Sequence, residues 1–343
     1  MKTCTVAYNK KCVVIESGKM RLAVATDKGP RVVGCFIGKG SKENMFAVLP
    51  PEPHAKAANG YCFYGGHRLW HSPEDCPLSY EPDNEPVNVR ETEDGIFFEG
   101  KPTPSTGIQK SICIQPLGDE IFLVRHMIRN CGIWPVEIAP WALTMMAPGG
   151  LMILPQGFAP EGNPYTPDRN IVLWPYTNLA DKRLKFTEKY ILVQNDPAAK
   201  KPLKLGYNDQ SGWIGYANLG NAFIKYIDSD PGVTYPDRGC NVETYTCNLH
   251  TEIETLGGLE TVKPGDAVFH AEYWQGLPGV GTVRTEKDVE TKVVPGLIEF
   301  DDECSCDDEE CDCGDDHCDC GDEHCDCGDE HCSCGGEHHH HCH

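Results

Sequence analysis

Several features are scarce in this chain, and each absence excludes a class of protein. No stretch approaches ~18 uninterrupted apolar residues, the length that a membrane-spanning helix requires. The N-terminal segment MKTCTVAYNKKCVVIESGKM lacks the apolar region of a secretory signal. No basic stripe is present to neutralise phosphates, so nucleic acid is not an expected partner. We therefore expect a soluble, cytoplasmic protein that binds neither membrane nor nucleic acid.

Positive charge is also missing from one part of the chain. From Asp301 onward there is neither Lys nor Arg, so most of the net charge of −22 belongs to this segment. The segment also holds eleven of the 20 cysteines. The other nine are scattered, and in the reducing cytosol we expect them to be thiols. These shifts divide the chain into a folded domain, residues 1–298, and a Cys/His-rich acidic repeat tail, residues 299–343.

The folded domain has the pattern of an antiparallel β-protein. No segment keeps a clean helical apolar period for three turns, whereas short alternating runs and turn signals recur. In residues 111–130 we expect a hairpin that turns at Pro116–Asp119. Gly (35) and Pro (26) are frequent, as they are in proteins with many turns. The fold class predicted is all-β, a large antiparallel β-sandwich. Three long irregular segments, 49–60, 80–87 and 154–170, are expected to form a binding face.

Strand alternation identifies candidate polar groups inside this domain. His126 lies on the apolar face of its run, where a hydrogen-bonded core histidine is the more usual interpretation and a ligand is the alternative. Glu243 lies on the more apolar face of CNVETYTCNL. Lost hydration raises the pKa of such a carboxylate and makes it a candidate general base, although pairing with a cation is an equal alternative. His270 and Glu272 share a face in a weaker pattern that an edge strand would also give.

The segment HRLWHSPE, residues 67–74, concentrates the chemistry of a sugar site. An indole can cover the face of a pyranose, and Arg, His and Glu can bind hydroxyl groups. His67, His71 and Glu74 could instead supply three ligands to zinc, but the spacing lacks the HExxH helical pattern of zinc enzymes. We favour a sugar-binding wall over a metal site.

A family resemblance adds to this interpretation. The segments YGGHRLWHSPE, PDNEPV, TGIQKSICI, VRHMIRNCGIWPVEIAPWALTMMAPGG, LWPYT, YPDRGCNVETYTC and LETVKPGDAVFHAEYW resemble the DUF4380 group, a bacterial family with a galactose mutarotase-like fold. The resemblance covers residues 10–275 in order. It implies a large β-sandwich that binds carbohydrate in a groove across one sheet. Epimerases of the wider superfamily use no cofactor, a histidine acid and a glutamate base.

The resemblance assigns roles to individual residues. The superfamily glutamate lies in a C-x-E strand, which Cys240–Glu243 resembles with one extra residue. A second histidine is expected after the His126 strand, but that place reads PWAL and offers Trp141 as a stacking platform. We therefore assign Glu243 and His71 as catalytic base and acid. The substrate-binding candidates are His67, Arg68, Trp70, Glu74, His126 and Trp141.

Three functions stay open at this point. The first is an enzyme, a cofactor-independent isomerase acting on a sugar or sugar derivative. The second is a non-catalytic carbohydrate-binding module that lacks the acid. The third is a metal storage or delivery protein that acts through the tail.

The tail repeats a seven-residue unit, C-x-C-G-acid-acid-H, which resembles metallothionein C-x-C pairs. Thiols and imidazoles at this spacing favour Zn²⁺ or Cu(I) over an iron–sulfur cluster. With almost no apolar residues, the metal-free tail is expected to be disordered. The predicted metal ligands are Cys311, Cys313, His317, Cys318, Cys320, His324, Cys325, Cys327, His331, Cys332 and Cys334.

Overall fold

Two antiparallel sheets hold nearly half of the residues that the structure describes. The structure is a computed structural model that describes residues 1–53, 59–76, 78–157 and 165–300. The chain divides into a unit that spans Met1–Gly296 and a second that begins at Leu297. Within the described residues, one sheet has eleven strands and the other ten, and all pairings are antiparallel.

The first sheet carries most of the residues singled out above. Strands are numbered along the chain, and β20 (Glu260–Val262) pairs with one end of β10. The order across the sheet is β1 (Lys2–Val6), β2 (Asn9–Ser17), β3 (Met20–Ala25), β4 (Arg31–Ile37), β5 (Gly66–Ser72), β10 (Val136–Met146), β19 (Thr251–Leu256), β18 (Val242–Thr246), β15 (Leu203–Tyr207) and β12 (Ile171–Leu173).

The second sheet closes the core from the other side. Its order is β13 (Leu184–Phe186), β14 (Tyr190–Gln194), β11 (Leu151–Pro155), β16 (Trp213–Asn218), β17 (Asn221–Tyr226), β21 (Ala267–Leu277), β9 (Ile121–Asn130), β8 (Ile108–Gly118), β7 (Gly95–Glu99) and β6 (Asn88–Thr92).

Helices are short in the described residues. The segment α1 (Pro236–Gly239) is a single irregular turn in which Asp237 and Arg238 have positive φ. Two turns form α2 (Glu286–Lys292), which begins with a capping box between Thr285 and Asp288. Neither has the length or the apolar character that crossing a membrane would require.

Apolar side chains from both sheets form one continuous core. Val24 and Ile253 of the first sheet belong to the same buried cluster as Phe223 and Trp274 of the second. Phe46 packs edge-on against both aromatic rings, with ring centroids at 5.4 and 5.9 Å. The predicted fold class, a large antiparallel β-sandwich, is confirmed.

The hairpin of β8 and β9 turns later than the sequence pattern predicts. Strand pairing continues through Pro116 to Gly118, with a bulge between them, and the turn lies at Asp119 and Glu120. These two residues have φ angles of 48° and 65°. A proline is compatible with a strand at a bulge, where it donates no ladder hydrogen bond. The turn therefore lies two residues later in the chain than predicted.

A buried ion pair links the two sheets. Lys225 Nζ of β17 lies 2.7 Å from Glu272 Oε1 of β21, and both side chains are inaccessible to solvent. Lys225 also donates to the carbonyls of Ala142 and Ile253 in the first sheet, at 3.5 and 3.4 Å. Trp274 Nε1 donates to Glu272 Oε2 at 2.6 Å. Burial raises the pKa of Glu272, but Lys225, His126 and His270 together outweigh it and lower the pKa to about 2.

Removing one member of this pair should destabilise the fold strongly. Lys225→Met leaves Glu272 buried without its counter-charge, so we expect a loss of about 3–5 kcal/mol in the free energy of unfolding. Urea unfolding followed by tryptophan fluorescence would measure it. The double variant Lys225→Met/Glu272→Gln should recover part of the loss, because no unpaired charge remains.

A matched control is the exposed pair of Lys2 and Glu16, whose Nζ–Oε2 distance is also 2.7 Å. Lys2→Met should cost less than about 1 kcal/mol. Equal losses for the buried and exposed lysines would contradict a role for the Lys225–Glu272 pair in joining the sheets.

Candidate functional site

The HRLWHSPE segment forms strand β5, and alternation divides its side chains between two faces. Leu69 belongs to the core between the sheets, and His67 and His71 share its face. Arg68 and Trp70 point to the opposite face. All five side chains are buried. The segment therefore contributes an arginine and a tryptophan to one environment and two histidines to another.

The face that carries Arg68 also carries Glu243. Register pairs Arg68 of β5 with Leu143 of β10, Leu143 with Glu254 of β19, and Glu254 with Glu243 of β18. Paired residues in a sheet project from the same face. Trp70 pairs with Trp141 one step along the same face. We call the surface formed by these side chains the groove face.

Two carboxylates of the groove face meet a single lysine. Lys204 Nζ of β15 lies 2.6 Å from Glu243 Oε2 and 3.2 Å from Glu254 Oε2. Trp141 Nε1 donates to the same oxygen of Glu254 at 3.0 Å. The ammonium group lies 4.6 Å from the ring centroids of both Trp141 and Trp174, close enough for cation–π attraction.

The pKa shifts in this cluster favour a proton that stays on the carboxyl groups of Glu243 and Glu254. Burial is the largest cause that raises the pKa of Glu243 well above its ordinary value and the pKa of Glu254 to about 7, although Lys204 opposes both shifts. Lys204 keeps its charge, because the carboxylates outweigh burial and raise its pKa. Oε1 of Glu243 and Oε1 of Glu254 accept no hydrogen bond within the described residues. These oxygens are buried polar atoms without a partner among the described residues.

Arg68 extends the groove face toward a second acidic group. Its guanidinium lies 4.3 Å from the ring centroid of Trp70 and 5.0 Å from that of Phe63. Arg68 Nη2 is 3.7 Å from Glu252 Oε1, and burial raises the pKa of Glu252 while Arg68 opposes the shift. The rings of Trp70 and Trp141 meet edge-on at 5.4 Å. Flat apolar rings beside charged hydrogen-bonding groups can bind a polyhydroxylated ring.

The predicted acid His71 lies away from Glu243. It is on the opposite face of β5 from Arg68, so the two residues expected to act as base and acid do not share the groove face. Burial lowers the pKa of His71 to about 3. An imidazole that stays neutral at physiological pH, on the core side of the sheet, is poorly placed to protonate a ligand beside Glu243.

His67 and His126 also belong to the core, where they form a hydrogen-bonded chain. His126 Nδ1 donates to the carbonyl of His270 at 3.0 Å, which leaves Nε2 to accept from His67 Nε2 at 2.8 Å. His67 Nδ1 then accepts from the Thr144 hydroxyl at 2.8 Å. We expected these two histidines to line the groove with Arg68. Their side chains instead point between the sheets.

The alternative zinc site of His67, His71 and Glu74 is not assembled. Both ring nitrogens of His67 are engaged in the core, whereas Glu74 is exposed and accepts from the Tyr80 hydroxyl at 2.6 Å. Among the described residues, the group with converging ligand atoms is instead His67, His126 and Glu272, within 4.8 Å of one another. Hydrogen bonds and the charge of Lys225 already satisfy that group.

Three charged residues of the groove face were missed by the sequence patterns. They are Lys204, Glu252 and Glu254. Lys204 alternates with the apolar residues Leu203 and Leu205, and the two glutamates alternate with Ile253 in TEIETL. Alternation was the usable signal, because a charged face opposite an apolar face is typical of a strand that covers a core. The predicted tail ligands, Cys311 to Cys334, lie outside the described residues.

Comparisons with known proteins support the fold. No protein-family model matches the sequence, and no curated protein matches it. A galactose mutarotase-like protein from Lactobacillus casei is similar in structure, with a TM-score of 0.52, 10% identity, and coverage of 77% of this chain and 99% of that one. An aldose 1-epimerase candidate from Klebsiella pneumoniae gives a TM-score of 0.51 and 10% identity over 78% of this chain and 80% of that one.

A larger protein shares the same architecture. A TPR-domain containing protein from Parabacteroides distasonis gives a TM-score of 0.51 and 14% identity over 78% of this chain. The match covers 47% of that protein's length. At these identities the comparisons establish the fold alone. The domain is a galactose mutarotase-like β-sandwich, and membership of the DUF4380 group stays a prediction.

Acid should destabilise the domain through its buried histidines. Burial lowers the pKa of His67, His71, His126 and His270, in His71 and His270 to about 3. An unfolded chain binds these protons below about pH 6.5. Stability from these groups is therefore present above that pH and is lost as the pH falls toward 3. The raised pKa values of Glu243, Glu252, Glu254 and Asp209 act in the opposite direction, so the histidine contribution is measured by comparing a histidine variant with the parent chain in urea between pH 8 and pH 4.

The variant His71→Gln isolates one of these protons. Its slope of unfolding free energy against pH should be shallower between pH 6 and pH 4 by up to one proton, about 1.4 kcal/mol per pH unit. The free energy of unfolding at pH 8, where His71 carries no proton in either state, gives the effect of the substitution on packing alone. Identical slopes in the variant and the parent chain would contradict a proton-free His71 in the fold.

Proposed function

We propose that the domain is a cofactor-independent sugar epimerase of the mutarotase type, in which Glu243 and Glu254 exchange protons with the sugar. The observation that carries the proposal is the meeting of these two buried carboxyls at one lysine, Lys204, beside tryptophan rings. The mutarotase-like fold supports a sugar as the ligand class.

The reaction needs one proton donor and one proton acceptor at the anomeric centre. The acceptor takes the proton of the anomeric hydroxyl while the donor protonates the ring oxygen, and the bond between C1 and the ring oxygen breaks. Rotation about the bond from C1 to C2 presents the other face of the aldehyde, and the reverse transfers close the ring. Acid–base groups with pKa values near the working pH perform such transfers best.

The carboxyl pair can supply both roles. Glu243 and Glu254 are register partners on adjacent strands, so their Cβ atoms lie roughly 5 Å apart. Two carboxyls that share one lysine titrate together, and the proton belongs to the pair. With the pKa of Glu254 raised to about 7, one carboxyl holds a proton near neutral pH while the other is ionised. The pair would then perform the task first assigned to Glu243 and His71.

The remaining groove residues would hold the sugar. Trp141 and Trp174 flank Lys204, and Trp70 lies beside Arg68, so the apolar face of a pyranose has aromatic partners. Lys204 and Arg68 can donate to hydroxyl oxygens, and they stabilise negative charge that develops on the anomeric oxygen.

One observation favours a second candidate, a non-catalytic carbohydrate-binding module. The histidine acid of the superfamily has no counterpart beside Glu243, because His71 faces the core. In that case the groove would bind the same ligands without turnover. The epimerase and the binding module would bind the same sugars with similar affinity, but only the epimerase would exchange their anomers.

Amide substitutions test the proton pair. Glu243→Gln and Glu254→Gln keep the side-chain shape and remove one titrating group each. We expect each to lower the rate of anomer exchange by about 10²–10⁴. Exchange spectroscopy by NMR on a panel of aldoses and sugar phosphates would measure it. Glu93→Gln, at an exposed turn of the other sheet, is the matched control and should keep full activity.

The outcomes separate the candidates. Full activity in both groove variants would refute the carboxyl pair. Ligand binding by the parent chain without exchange of any panel sugar would favour the binding module.

We further propose that the tail binds Zn²⁺ or Cu(I) through its repeated thiols and imidazoles. The support is the sequence alone: C-x-C pairs followed by a histidine recur every seven residues, and neighbouring acids attract cations. Metal must displace the thiol protons, so binding weakens as the pH falls.

Truncation tests the tail. The full chain and a chain ending at residue 300 would be purified under reducing conditions, loaded with Zn²⁺ and desalted, and their metal measured by elemental analysis. The full chain should retain several equivalents more than the truncated chain. Equal metal content in the two forms would refute metal binding by the tail.

A further inference from the structure

A second reactive cluster lies where β18 turns into β19. The turn comprises residues 247–250, and the Cys247 N–H donates to the His250 carbonyl at 3.0 Å. The buried Asn195 side chain donates to the carbonyls of Cys247 and His250 at 2.9 and 3.1 Å. These bonds fix the turn, so the thiol and the imidazole are held side by side.

Three side chains at the turn and at the start of β19 lie in a row: a possible nucleophile, a possible base and an acid. Cys247 Sγ lies 3.5 Å from His250 Nδ1, and His250 Nε2 lies 3.7 Å from Glu252 Oε1. The Leu249 N–H is directed at the same sulfur at 3.4 Å. A nucleophile beside a base that is oriented by a third group is the arrangement that activates a thiol.

The surroundings favour the thiolate form of Cys247. Burial alone raises the pKa of this thiol, but the hydrogen bond and charge of His250 and the Leu249 amide outweigh it and lower the pKa. The other titratable or charged groups that face the cluster are Tyr245, Glu252, Arg68 and Tyr176. By contrast, burial raises the pKa of Cys12, Cys35, Cys113 and Cys240.

Cys247 is a partly exposed residue at the end of the strand that carries Glu243. Leu249 at the tip of the turn is exposed. Tyr245 lies between Glu243 and Cys247 on the same side of the strand, and its ring centroid is 5.8 Å from that of His250. Four extended residues separate Cys247 from Glu243 by about 13 Å. The thiol therefore lies beyond the reach of a ring carbon held at Glu243.

We propose that Cys247, His250 and Glu252 form a separate site at the end of the groove, in which the thiol adds to the carbonyl carbon of a small aldehyde. Glu252 Oε1 lies 3.7 Å from His250 Nε2 and also 3.7 Å from Arg68 Nη2, so it is an ion-pair partner of both groups. The site does not depend on turnover at the carboxyl pair.

The addition of the Cys247 thiol to an aldehyde needs no oxidant, reductant or other co-reactant. The thiol proton moves to His250 Nδ1, and the sulfur attacks the carbonyl carbon to form a C–S bond. The π electrons of the C=O bond move to oxygen, which takes the proton back from the imidazolium. The product is a thiohemiacetal, and no group leaves. The reaction needs one nucleophile and one group that takes up and returns the proton, and Cys247 and His250 are these two groups.

Alkylation with iodoacetamide tests the activated thiol. The full, reduced chain would be labelled at pH 7 and the modified peptides quantified by mass spectrometry. Cys247 should react about tenfold faster than the exposed Cys131, since the thiolate is the reactive form. His250→Asn should remove this advantage, and the fully buried Cys35 should remain unlabelled in the same sample if the variant is folded. A Cys247 rate no higher than that of Cys131 in the parent chain, or unchanged in His250→Asn, would overturn the assignment.

Protection by glyceraldehyde tests the ligand class. Glyceraldehyde should slow the labelling of Cys247 in a saturable and reversible way without affecting Cys131, whereas glycerol, which lacks the carbonyl, should have no effect. Absence of protection by glyceraldehyde would overturn the aldehyde site. Equal protection by glycerol would also overturn it, because the effect would then be occupancy without covalent addition.

Discussion

Strands β5, β10 and β19 each present one set of side chains to the core and another to the groove face, and their shared register fixes both sets at once. Arg68 and Trp70 are placed beside Trp141 and Glu254 because the pairing of β5 with β10 and of β10 with β19 leaves no other alignment. The same pairing sends His67 into the core. A slip of one residue would exchange the two faces, so a single register determines both the core and the site.

The two faces hold similar charged groups in different balance. In the core, Glu272 has Lys225 to itself, and its pKa falls to about 2. On the groove face, Glu243 and Glu254 share Lys204, and the pKa of Glu254 rises to about 7. Burial raises the pKa of all these carboxyls, so their neighbours make the difference: Glu272 has Lys225 and two histidines, whereas Glu243 and Glu254 share one lysine. Glu272 therefore stays ionised beside Lys225 in the core, whereas Glu243 and Glu254 retain a proton that they could exchange with a ligand.

Sequence patterns predicted the β-sandwich and the burial of individual side chains because alternation within each strand carries both signals. The buried position of Glu243 could be read from its own neighbours, and Arg68 and Trp70 from the composition of their segment. Lys204 and Glu254 could not be paired with Glu243 in this way, since they come from strands whose order is set by tertiary contacts. The position of His71 on the opposite face from Arg68 follows from alternation along β5, a signal that the assignment from nearness along the chain did not use.

Infrared spectroscopy can detect the proton that Glu243 and Glu254 hold between them at neutral pH. The carbonyl stretch of a protonated carboxylic acid should be present at pH 7 in the parent chain and should lose intensity in Glu243→Gln/Glu254→Gln, in which Glu252 is unaltered. Asp209, whose pKa burial raises to about 6, is unaltered in both chains and cancels in the difference spectrum. A parent chain without this band at pH 7, or a double variant that keeps it at full intensity, would contradict the account.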